Sequence, residues 1–443
     1  MRRRLLIGFG LAAGLAASAY AMAVAVGIVG GPEIGTLLAS ARSPIVVGLI
    51  HSQTGPLAIS ERSLIDAEIL ALEEIKARGG VAGRPIRWVV RDGRSDASAF
   101  ASEARRLIEE DGAVVLFGCW TAECRKAVKA VVEEKGSLLL FPANFEGMEP
   151  PTRVIYAGGA VNQSVVPAVR WCFDALKSRR FFVLGTEELW SRCVAEVAKD
   201  AVKAAGAEVS GELFLPLTGV DAAPAVEAIR ASGADVVLNL MVGAANPPFY
   251  AAIRRAGLTP DRLSTVAFGF AEDELRQFPA ANAADAVGLY AAGNYFQSVV
   301  RPENREFVRR FQARYPDGRV TGGSIVAAYD AVMLWAQTAD EVGTGDARVI
   351  LDHVGRQSLD APEGVITVDP ESLAAWRPFH VGRARADGQF DLVWSLPGPI
   401  HPQTYIGTRS VARWRSFQEE TQARWGGRWS SSGLPRPAGP TPE

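Results

Sequence analysis

Residues 116–147 limit the possible folds of this chain more than any other stretch. An apolar run at 113–117 is followed by a turn, by apolar residues at helical spacing and by a second apolar run at 138–141. This order predicts a strand, a turn, a helix and a second, parallel strand. In such a unit both turns lie at the carboxyl ends of parallel strands, where open α/β sheets bind their ligands.

The two turns of this unit contain candidate binding residues. Thr121 is placed to cap the following helix, whose free N–H groups would face a bound oxygen or anion, and a cap without a binding role is the alternative. The second turn, residues 141–147, brings together two aromatic rings, an amide and a carboxylate. Such groups are typical of a small-molecule pocket, with a core position for Phe141 as the alternative.

The alternation of strands and helices continues along the chain in two series. The first begins with the apolar strand at 45–50, and the second follows Gly158 and Gly159 and extends to a strand at 265–268. Alternation of this kind predicts parallel sheets covered by helices on both faces. Two separate series predict an α/β protein with two lobes.

Composition and motifs narrow the possible functions. The chain has 443 residues with 48% hydrophobic content, enough for two or three domain-sized units. Its net charge of −2 is spread without blocks, so we expect no nucleic-acid partner. The four cysteines and four histidines show no metal-ligand spacing, and G-x-S-x-G, G-x-x-x-x-G-K-[ST] and H-E-x-x-H are absent. We therefore expect no metal, no cofactor and no enzymatic activity.

The N-terminus has the features of an export signal. Three arginines at 2–4 precede an uncharged, largely apolar run at 5–31. Small-residue sites predict cleavage after Ala19 or Ala23, and an uncleaved membrane anchor is the alternative because the run is long enough to span a bilayer. The rest of the chain is then expected in the periplasm, where oxidising conditions would allow a bond between Cys172 and Cys193.

Seven long segments, taken in order, resemble one known family. They are VGLIHSQTGPLAISE, RDGRSDASAFASEARRLIEEDGAVVLFGCWTAECRKAV, FPANFEG, PLTGVD, GNYFQSVVRPENREFVRRF, DAPEGVITVDPE and GRARADGQFDLVW. These segments closely resemble the periplasmic substrate-binding proteins of urea and short-chain amide ABC transporters, and the related cytoplasmic amide sensor. The resemblance covers roughly residues 45–402. It implies a type I periplasmic binding protein, in which two doubly wound parallel-sheet lobes are joined by a three-crossing hinge.

The resemblance also implies a division of the chain. The crossings are expected near Gly158, Leu289 and Leu359. Lobe 1 would comprise residues 44–158 and 290–358, and lobe 2 residues 159–289 and 359–397. Residues 1–31 would be a signal peptide or signal anchor, and residues 398–443 a C-terminal extension with a Pro-rich tail.

By the same resemblance, aromatic residues that contact the ligand amide are expected at Trp120, Phe141, Phe145 and Trp190. The chain departs from the family pattern beside them. Its first turn has Ala122 where the family has a serine.

Further departures lie in the expected binding positions of the second turn and of lobe 2. Asn144 resembles the glutamine of the urea-binding members. Glu187 and Glu188 stand where amide-binding members have an aspartate followed by a tyrosine, so a phenol donor is replaced by a carboxylate that only accepts when ionised.

These residues indicate the kind of ligand. Aromatic walls with Asn144, Glu146 or Glu188 as acceptors suit a small planar molecule rich in N–H groups, such as urea, a short-chain amide or a guanidine-like cation. The alternative for the glutamates is exposure at the cleft rim or pairing with Arg125 and Arg192.

The expected function is capture of this ligand by hinge closure and delivery to an ABC permease. A ligand-sensing ectodomain, or a partner of a membrane signalling receptor, is the alternative, because the fold alone does not decide which partner recognises the closed form.

Overall fold

The computed structural model describes residues 43–217, 219–276, 278 and 284–431. Its strands in chain order are β1 Ile45–His51, β2 Ile86–Asp92, β3 Val115–Gly118, β4 Leu139–Phe141, β5 Val154–Tyr156, β6 Arg180–Thr186, β7 Glu208–Leu215, β8 Val236–Leu240, β9 Ser264–Phe268, β10 Tyr290–Gly293, β11 Ser358–Ala361, β12 Gly364–Asp369, β13 Ala374–Ala375, β14 His380–Ala384 and β15 Phe390–Ser395.

Helices connect most of these strands. In chain order the α-helices are α1 Ala58–Ala77, α2 Ala97–Glu109, α3 Ala122–Lys135, α4 Val165–Asp174, α5 Leu189–Ala204, α6 Ala223–Ser232, α7 Asn246–Arg255, α8 Glu272–Arg276, α9 Pro302–Arg314, α10 Gly323–Val342, α11 Ala347–His353 and α12 Val411–Arg424. Short 3₁₀ helices are found at Val161–Gln163, Gly243–Ala245, Ala284–Ala286 and Val354–Arg356.

The strands form two sheets, one in each lobe. The first has the order β11-β12-β13-β5-β4-β3-β1-β2 and the second the order β15-β14-β10-β9-β8-β6-β7. Strands β1 to β5 pair in parallel, as do β6 to β10, whereas β11 with β12, β12 with β13, β10 with β14, and β14 with β15 are antiparallel. The predicted α/β class with two mostly parallel sheets is confirmed.

The core of lobe 1 joins segments that are distant in the sequence. Helix α10 packs along α1, and its fully buried Trp335 meets Phe117 of β3 edge-on, with ring centroids 5.8 Å apart. The region from α9 to α11 therefore completes the helical cover of the first sheet, although it follows the second series of strands.

Two boundaries of the lobes differ from the prediction. Strand β10 pairs with β9 in the second sheet, whereas residues 290–358 are predicted in lobe 1. Strands β11 to β13 belong to the first sheet, whereas residues 359–397 are predicted in lobe 2, and the pairing of Ala374 with Tyr156 of β5 is the reason. The third passage between the sheets thus lies after Ala375 rather than near Leu359.

The passages between the lobes pack against each other. A β-carbon on Gly159, in the first passage, would lie only 1.9 Å from Oδ1 of Asn294, which follows β10. The side chain of Asn294 in turn donates to the carbonyl of Pro378, in the third passage, at 2.7 Å. A side chain at position 159 would displace the Asn294 side chain, so glycine here preserves the hydrogen bond between Asn294 and Pro378.

In the described part of the predicted C-terminal extension, residues 398–431, the helix α12 packs on lobe 2, while the carbonyl of Thr404 accepts from the backbone N–H of Met148 in lobe 1 at 2.6 Å. Helix α12 lies against α5, and the fully buried Trp414 donates its indole N–H to the carbonyl of Ile406 at 2.9 Å. Arg409 pairs with Asp200 of α5 at 2.8 Å.

The predicted leader and the Pro-rich tail lie outside the described residues, and cleavage after Ala19 or Ala23 stays a prediction. Within the described part of the chain, no helix has both the length and the apolar character needed to cross a membrane.

Candidate functional site

A cleft opens between the facing edges of the two lobes. Its volume is about 380 Å³, including the part that is open to solvent. The cleft is lined by Trp120, Thr121, Ala143, Asn144, Glu188, Trp190, Val242, Gly269 and Ser324. Most of these residues directly follow strands β3, β4, β6, β8 and β9. The cleft therefore lies at the carboxyl ends of the parallel strands, where such sheets bind ligands.

A sharp turn after β3 brings Trp120 into the cleft. Gly118 has a φ of +148°, and a β-carbon there would lie 1.9 Å from the carbonyl oxygen of Ile50. Only glycine allows this close approach of β3 to β1. The half-buried ring of Trp120 that follows packs against the apolar cores of both lobes.

Thr121 caps helix α3. Its Oγ1 accepts from the backbone N–H of Cys124 at 3.2 Å, so the capping role considered for this residue is present in the structure. The next residue, Ala122, is buried and contributes a methyl group where a serine would contribute a hydroxyl. Ala122 belongs to the apolar core beside the cleft and is not one of the residues that line it.

Asn144 connects the cleft to the first passage between the lobes. Its Oδ1 accepts from the backbone N–H of Gly159 at 3.2 Å, and its side chain is half-buried. A group bound beside Asn144 is therefore close to the segment about which the lobes would move.

The structure does not place Phe141 and Phe145 in the cleft, in contrast to the prediction. Both rings are buried in the core of lobe 1. Phe145 stacks on Tyr156 with ring centroids 4.1 Å apart, and Phe141 meets the same tyrosine edge-on at 6.3 Å. The core position considered for Phe141 is thus the observed one, and Phe145 shares it.

A buried ion-pair network explains this arrangement. The guanidinium of Arg125 lies 2.6 Å from Glu146 and 2.8 Å from Glu149, all three being buried, and its central carbon lies 5.0 Å from the Phe141 ring centroid. Burial opposes ionisation of Glu149, but the charges of Arg125 and two nearby lysines outweigh it and hold the pKa of Glu149 well below its usual range. Glu146 therefore pairs with Arg125, as the alternative interpretation of the glutamates predicts.

Glu187 and Glu188 point in different directions. Glu187 pairs with Arg192 through an Nε–Oε2 distance of 3.1 Å, as the alternative reading also proposed. Glu188 instead lines the cleft and caps helix α5, accepting from the backbone N–H groups of Trp190 at 2.8 Å and Ser191 at 2.5 Å. Burial raises the pKa of Glu188 from its ordinary value near 4.5 to about 7, against the lowering effect of these hydrogen bonds.

Trp190 is held at the start of α5 by this cap. The residue is buried except for 8% of its surface and lines the cleft. An ideal β-carbon on Gly269, whose φ is +64°, would lie 3.8 Å from the Trp190 ring. The cleft is thus bounded by one indole from each lobe, Trp120 from lobe 1 and Trp190 from lobe 2.

Sequence reasoning missed four cleft residues, one of which, Ala143, lies within the predicted second turn. Val242 and Gly269 follow β8 and β9. Because ligands bind at the carboxyl ends of parallel strands, here called the rule of the carboxyl strand ends, both positions could have been predicted once those strands were assigned. Ser324 lies in the first turn of α10 and gives no such signal.

The cysteines and possible metal ligands add no further feature to the site. Cys172 and Cys193 are both buried and unlinked, so the disulfide considered for them is not formed in this structure. Among residues 43–217, 219–276, 278 and 284–431, no group of three or more metal-ligating side chains is found.

Comparison with known proteins identifies the family. Residues 45–411 match the periplasmic binding protein domain family, and the chain belongs to it. This family consists of exported solute-binding proteins.

Individual relatives are more distant. The chain is 32% identical over 115 residues to a limonene hydroxylase from Geobacillus stearothermophilus, a match that covers 26% of this chain and 21% of that protein. It is 26% identical over 246 residues to an amino acid binding protein from Pseudomonas aeruginosa, covering 53% of this chain and 63% of the relative. The chain thus spans less than two thirds of either relative.

A solved structure shares the fold over most of its length. It is the solute binding protein of an ABC transporter from Rhodopseudomonas palustris BisB5, in complex with 3,4-dihydroxybenzoic acid. The TM-score is 0.72 at 19% sequence identity, and the alignment covers 81% of this chain and 97% of the other. A likeness at this identity supports the two-lobe fold and leaves the ligand open.

Proposed function

We propose that this protein captures a small, planar, N–H-rich molecule, urea or a short-chain amide, by hinge closure and delivers it to an ABC permease. The observation that carries the proposal is the cleft between Trp120 and Trp190, with the carboxyl group of Glu188 beside them. Two flat apolar walls suit a planar ligand, and each ligand N–H needs an acceptor once water is displaced.

The charge of the cleft supports this class of ligand. None of its described lining residues is Lys, Arg or His, and Glu188 is the one titratable side chain among them. A ligand carboxylate would have no cationic side chain to pair with in this space, and Glu188 would repel it when ionised. A neutral or cationic ligand meets neither obstacle.

An amino acid is the second candidate ligand. Helices α3 and α10 both begin beside the cleft, at Thr121 and Ser324, and helix N-termini attract carboxylates. Glu188 would then accept from the ligand ammonium group. The P. aeruginosa relative named for amino acid binding supports this candidate.

The proposed activity is binding without chemical change. The hydroxylase match covers about a quarter of this chain, whereas the match to the binding protein family covers residues 45–411. A sensor would bind its ligand in the same cleft and would differ only in the partner that recognises the closed form. Delivery to a permease is therefore part of the proposal.

Calorimetry against urea, acetamide, formamide, guanidinium and leucine tests the proposed ligand class. We expect urea or one of the two amides to bind, and leucine to bind more weakly than any of them. Mass spectrometry of the recovered ligand serves as the control and should show it unchanged. Binding of leucine alone would replace the amide assignment with the amino acid candidate, and turnover would remove the binding-protein function.

The affinity for the proposed ligands should depend on the ionisation of Glu188. Since its pKa is raised to about 7, the carboxylate that accepts from the ligand is formed only as the pH rises through that value. Titrations at pH 6 and pH 8 should therefore show a roughly tenfold gain in affinity at the higher pH.

The variant Glu188→Gln is the matched control for the pH series. It keeps the shape of the side chain and removes the titration, so its affinity should vary little between pH 6 and pH 8. It should also weaken guanidinium more than urea, because the charge of the acceptor is lost. A parent protein whose affinity is the same at both pH values would show that Glu188 does not contact the ligand.

The raised pKa of Glu188 also makes the free energy of unfolding depend on pH. Burial favours the protonated form of Glu188 in the folded protein, so its contribution to the free energy of unfolding is largest below pH 4.5 and falls as the pH rises to about 7. Near neutral pH, Glu188 therefore contributes less to the free energy of unfolding than it does at acidic pH.

A further inference from the structure

The end of the described chain is attached to the turn that carries Glu188. The backbone N–H of Leu189 donates to the carbonyl of Trp429 at 3.0 Å, and the N–H of Ser431 donates to the carbonyl of Glu187 at 2.9 Å. Ser430 lies between them as the antiparallel partner of Glu188. Residues 429–431, here called the C-terminal segment, therefore run as an added strand beside the cap of α5.

The elements that precede this segment belong to lobe 2. Helix α12 packs on α5, with Trp414 fully buried, and Arg409 pairs with Asp200 and Glu196 of α5 at 2.8 Å each. The C-terminal segment is therefore carried by lobe 2, and it will move with that lobe when the cleft opens.

The side chains of the segment nevertheless reach lobe 1. The hydroxyl of Ser430 donates to Oε2 of Glu123 at 2.7 Å, and the ammonium of Lys126 lies 4.4 Å from the Trp429 ring centroid. Glu123 and Lys126 are both on α3, the helix that Thr121 caps. One hydrogen bond to a charged group and one cation–π contact thus join the C-terminal segment to the opposite lobe.

These contacts lie at a second cavity, which adjoins the ligand cleft. Trp429 and Ser430 line a space of about 550 Å³ together with Thr121, Glu188 and Val242, and these last three residues also line the ligand cleft. Cys124 lines this second cavity and is buried. A ligand that reaches the cleft through this cavity has to pass between the C-terminal segment and α3.

We propose that Trp429 and Ser430 form a gate, which lobe 2 closes against Glu123 and Lys126 of lobe 1 to retain a ligand in the cleft. The proposal rests on the proposed function for the identity of the retained molecule as an amide or related solute. The gate itself is defined by contacts between the lobes and can be measured without any ligand.

The reactivity of Cys124 reports the opening of the gate. The full-length protein is treated with iodoacetamide, and the modification rate of each cysteine is followed by mass spectrometry. Ser430→Ala and Glu123→Ala should each raise the rate at Cys124 by roughly three- to tenfold, the effect on an opening equilibrium of losing one partly exposed hydrogen bond to a charged group. The double variant should react no faster than the faster single variant, because both changes remove the same bond.

Two controls accompany this measurement. Ser431→Ala removes a hydroxyl that contacts the carbonyl of Glu187, in the same lobe, and should leave the Cys124 rate unchanged. Cys172, in the core of lobe 2, is an internal reference whose rate should stay constant in all variants.

Equal Cys124 rates in the parent, Ser430→Ala and Glu123→Ala would overturn the gate. A parallel rise at Cys172 would also overturn it, since the substitutions would then loosen lobe 2 as a whole. Failure of urea and the amides to bind would contradict the proposed ligand class and leave the labelling result standing.

Discussion

Replacing Arg125 with Met is expected to lower the free energy of unfolding by about 3–5 kcal/mol, because the buried Glu146 then loses its cationic partner and the buried Glu149 loses its nearest one. The fully buried guanidinium lies 2.6 Å from Glu146 and 2.8 Å from Glu149. Tyr156 also donates to Glu149 at 2.6 Å, so the loss extends to the aromatic cluster of lobe 1. Urea denaturation followed by far-UV circular dichroism measures the change.

An exposed arginine provides the matched control for Arg125. Arg105 pairs with Glu134 at 2.7 Å, but 39% and 53% of the two side chains are exposed. Arg105→Met should therefore leave the stability close to that of the parent protein. Adding Glu146→Gln to Arg125→Met should restore part of the loss, because Glu146 is left unpaired whereas Glu149 keeps Lys126 at 3.3 Å and Lys129 at 3.5 Å. A loss below about 1 kcal/mol for Arg125→Met would show that the network contributes little to the fold.

The second large effect concerns ligand affinity. Trp120→Ala and Trp190→Ala should each weaken binding by about 1–3 kcal/mol, or roughly 5- to 150-fold, because each removes one apolar wall of the cleft. Calorimetry with the tightest ligand of the urea and amide series measures the loss.

Trp88 serves as the control for the two cleft tryptophans. It lies on β2, where the ammonium of Lys76 is 5.7 Å from its ring centroid, and it is not among the residues that line the cleft. Trp88→Ala should leave affinity unchanged. If Trp190→Ala binds as tightly as the parent, the ligand does not lie between the two indoles.

The strand and helix alternation was predictable because its signal is local. The apolar runs at 45–50 and 236–240 and the helical spacing between strands indicate the parallel core of each sheet directly. The sheet to which β11, β12 and β13 belong is decided by a distant pairing, that of Ala374 with Tyr156. No periodicity in residues 358–375 contains that information, and the lobe boundary predicted there was wrong.

The residues of the candidate site were likewise predictable where the signal is local and not where distant contacts decide. The rule of the carboxyl strand ends led to Thr121 and to the turn that contains Asn144, and the family resemblance added Trp120, Glu188 and Trp190; all five line the cleft. Both lines of reasoning failed for Phe141 and Phe145, because the direction of these rings is set by contacts with Tyr156 and Arg125. The pattern of apolar and polar residues in α3 does not show that Arg125 is buried.

The C-terminal segment was also beyond sequence reasoning. Helix α12 has few apolar residues, among them Trp414, and its position depends on the surface of α5. The contact of Ser430 with Glu123 joins residues more than 300 positions apart. Contacts of this kind are determined by the packed lobes rather than by local propensity.

The placement of β13 beside β5 has a consequence for biosynthesis. Strand β5 is made early, yet its outer edge in the first sheet is covered only when residues 374–375 have been synthesised, after ten strands of both lobes and the hairpin of β11 and β12. An uncovered strand edge favours pairing with other chains, and late, long-range pairing slows folding. The growing chain therefore exposes an aggregation-prone edge through about half of its translation, from residue 156 to residue 375, and lobe 1 is completed only after most strands of lobe 2 have been made.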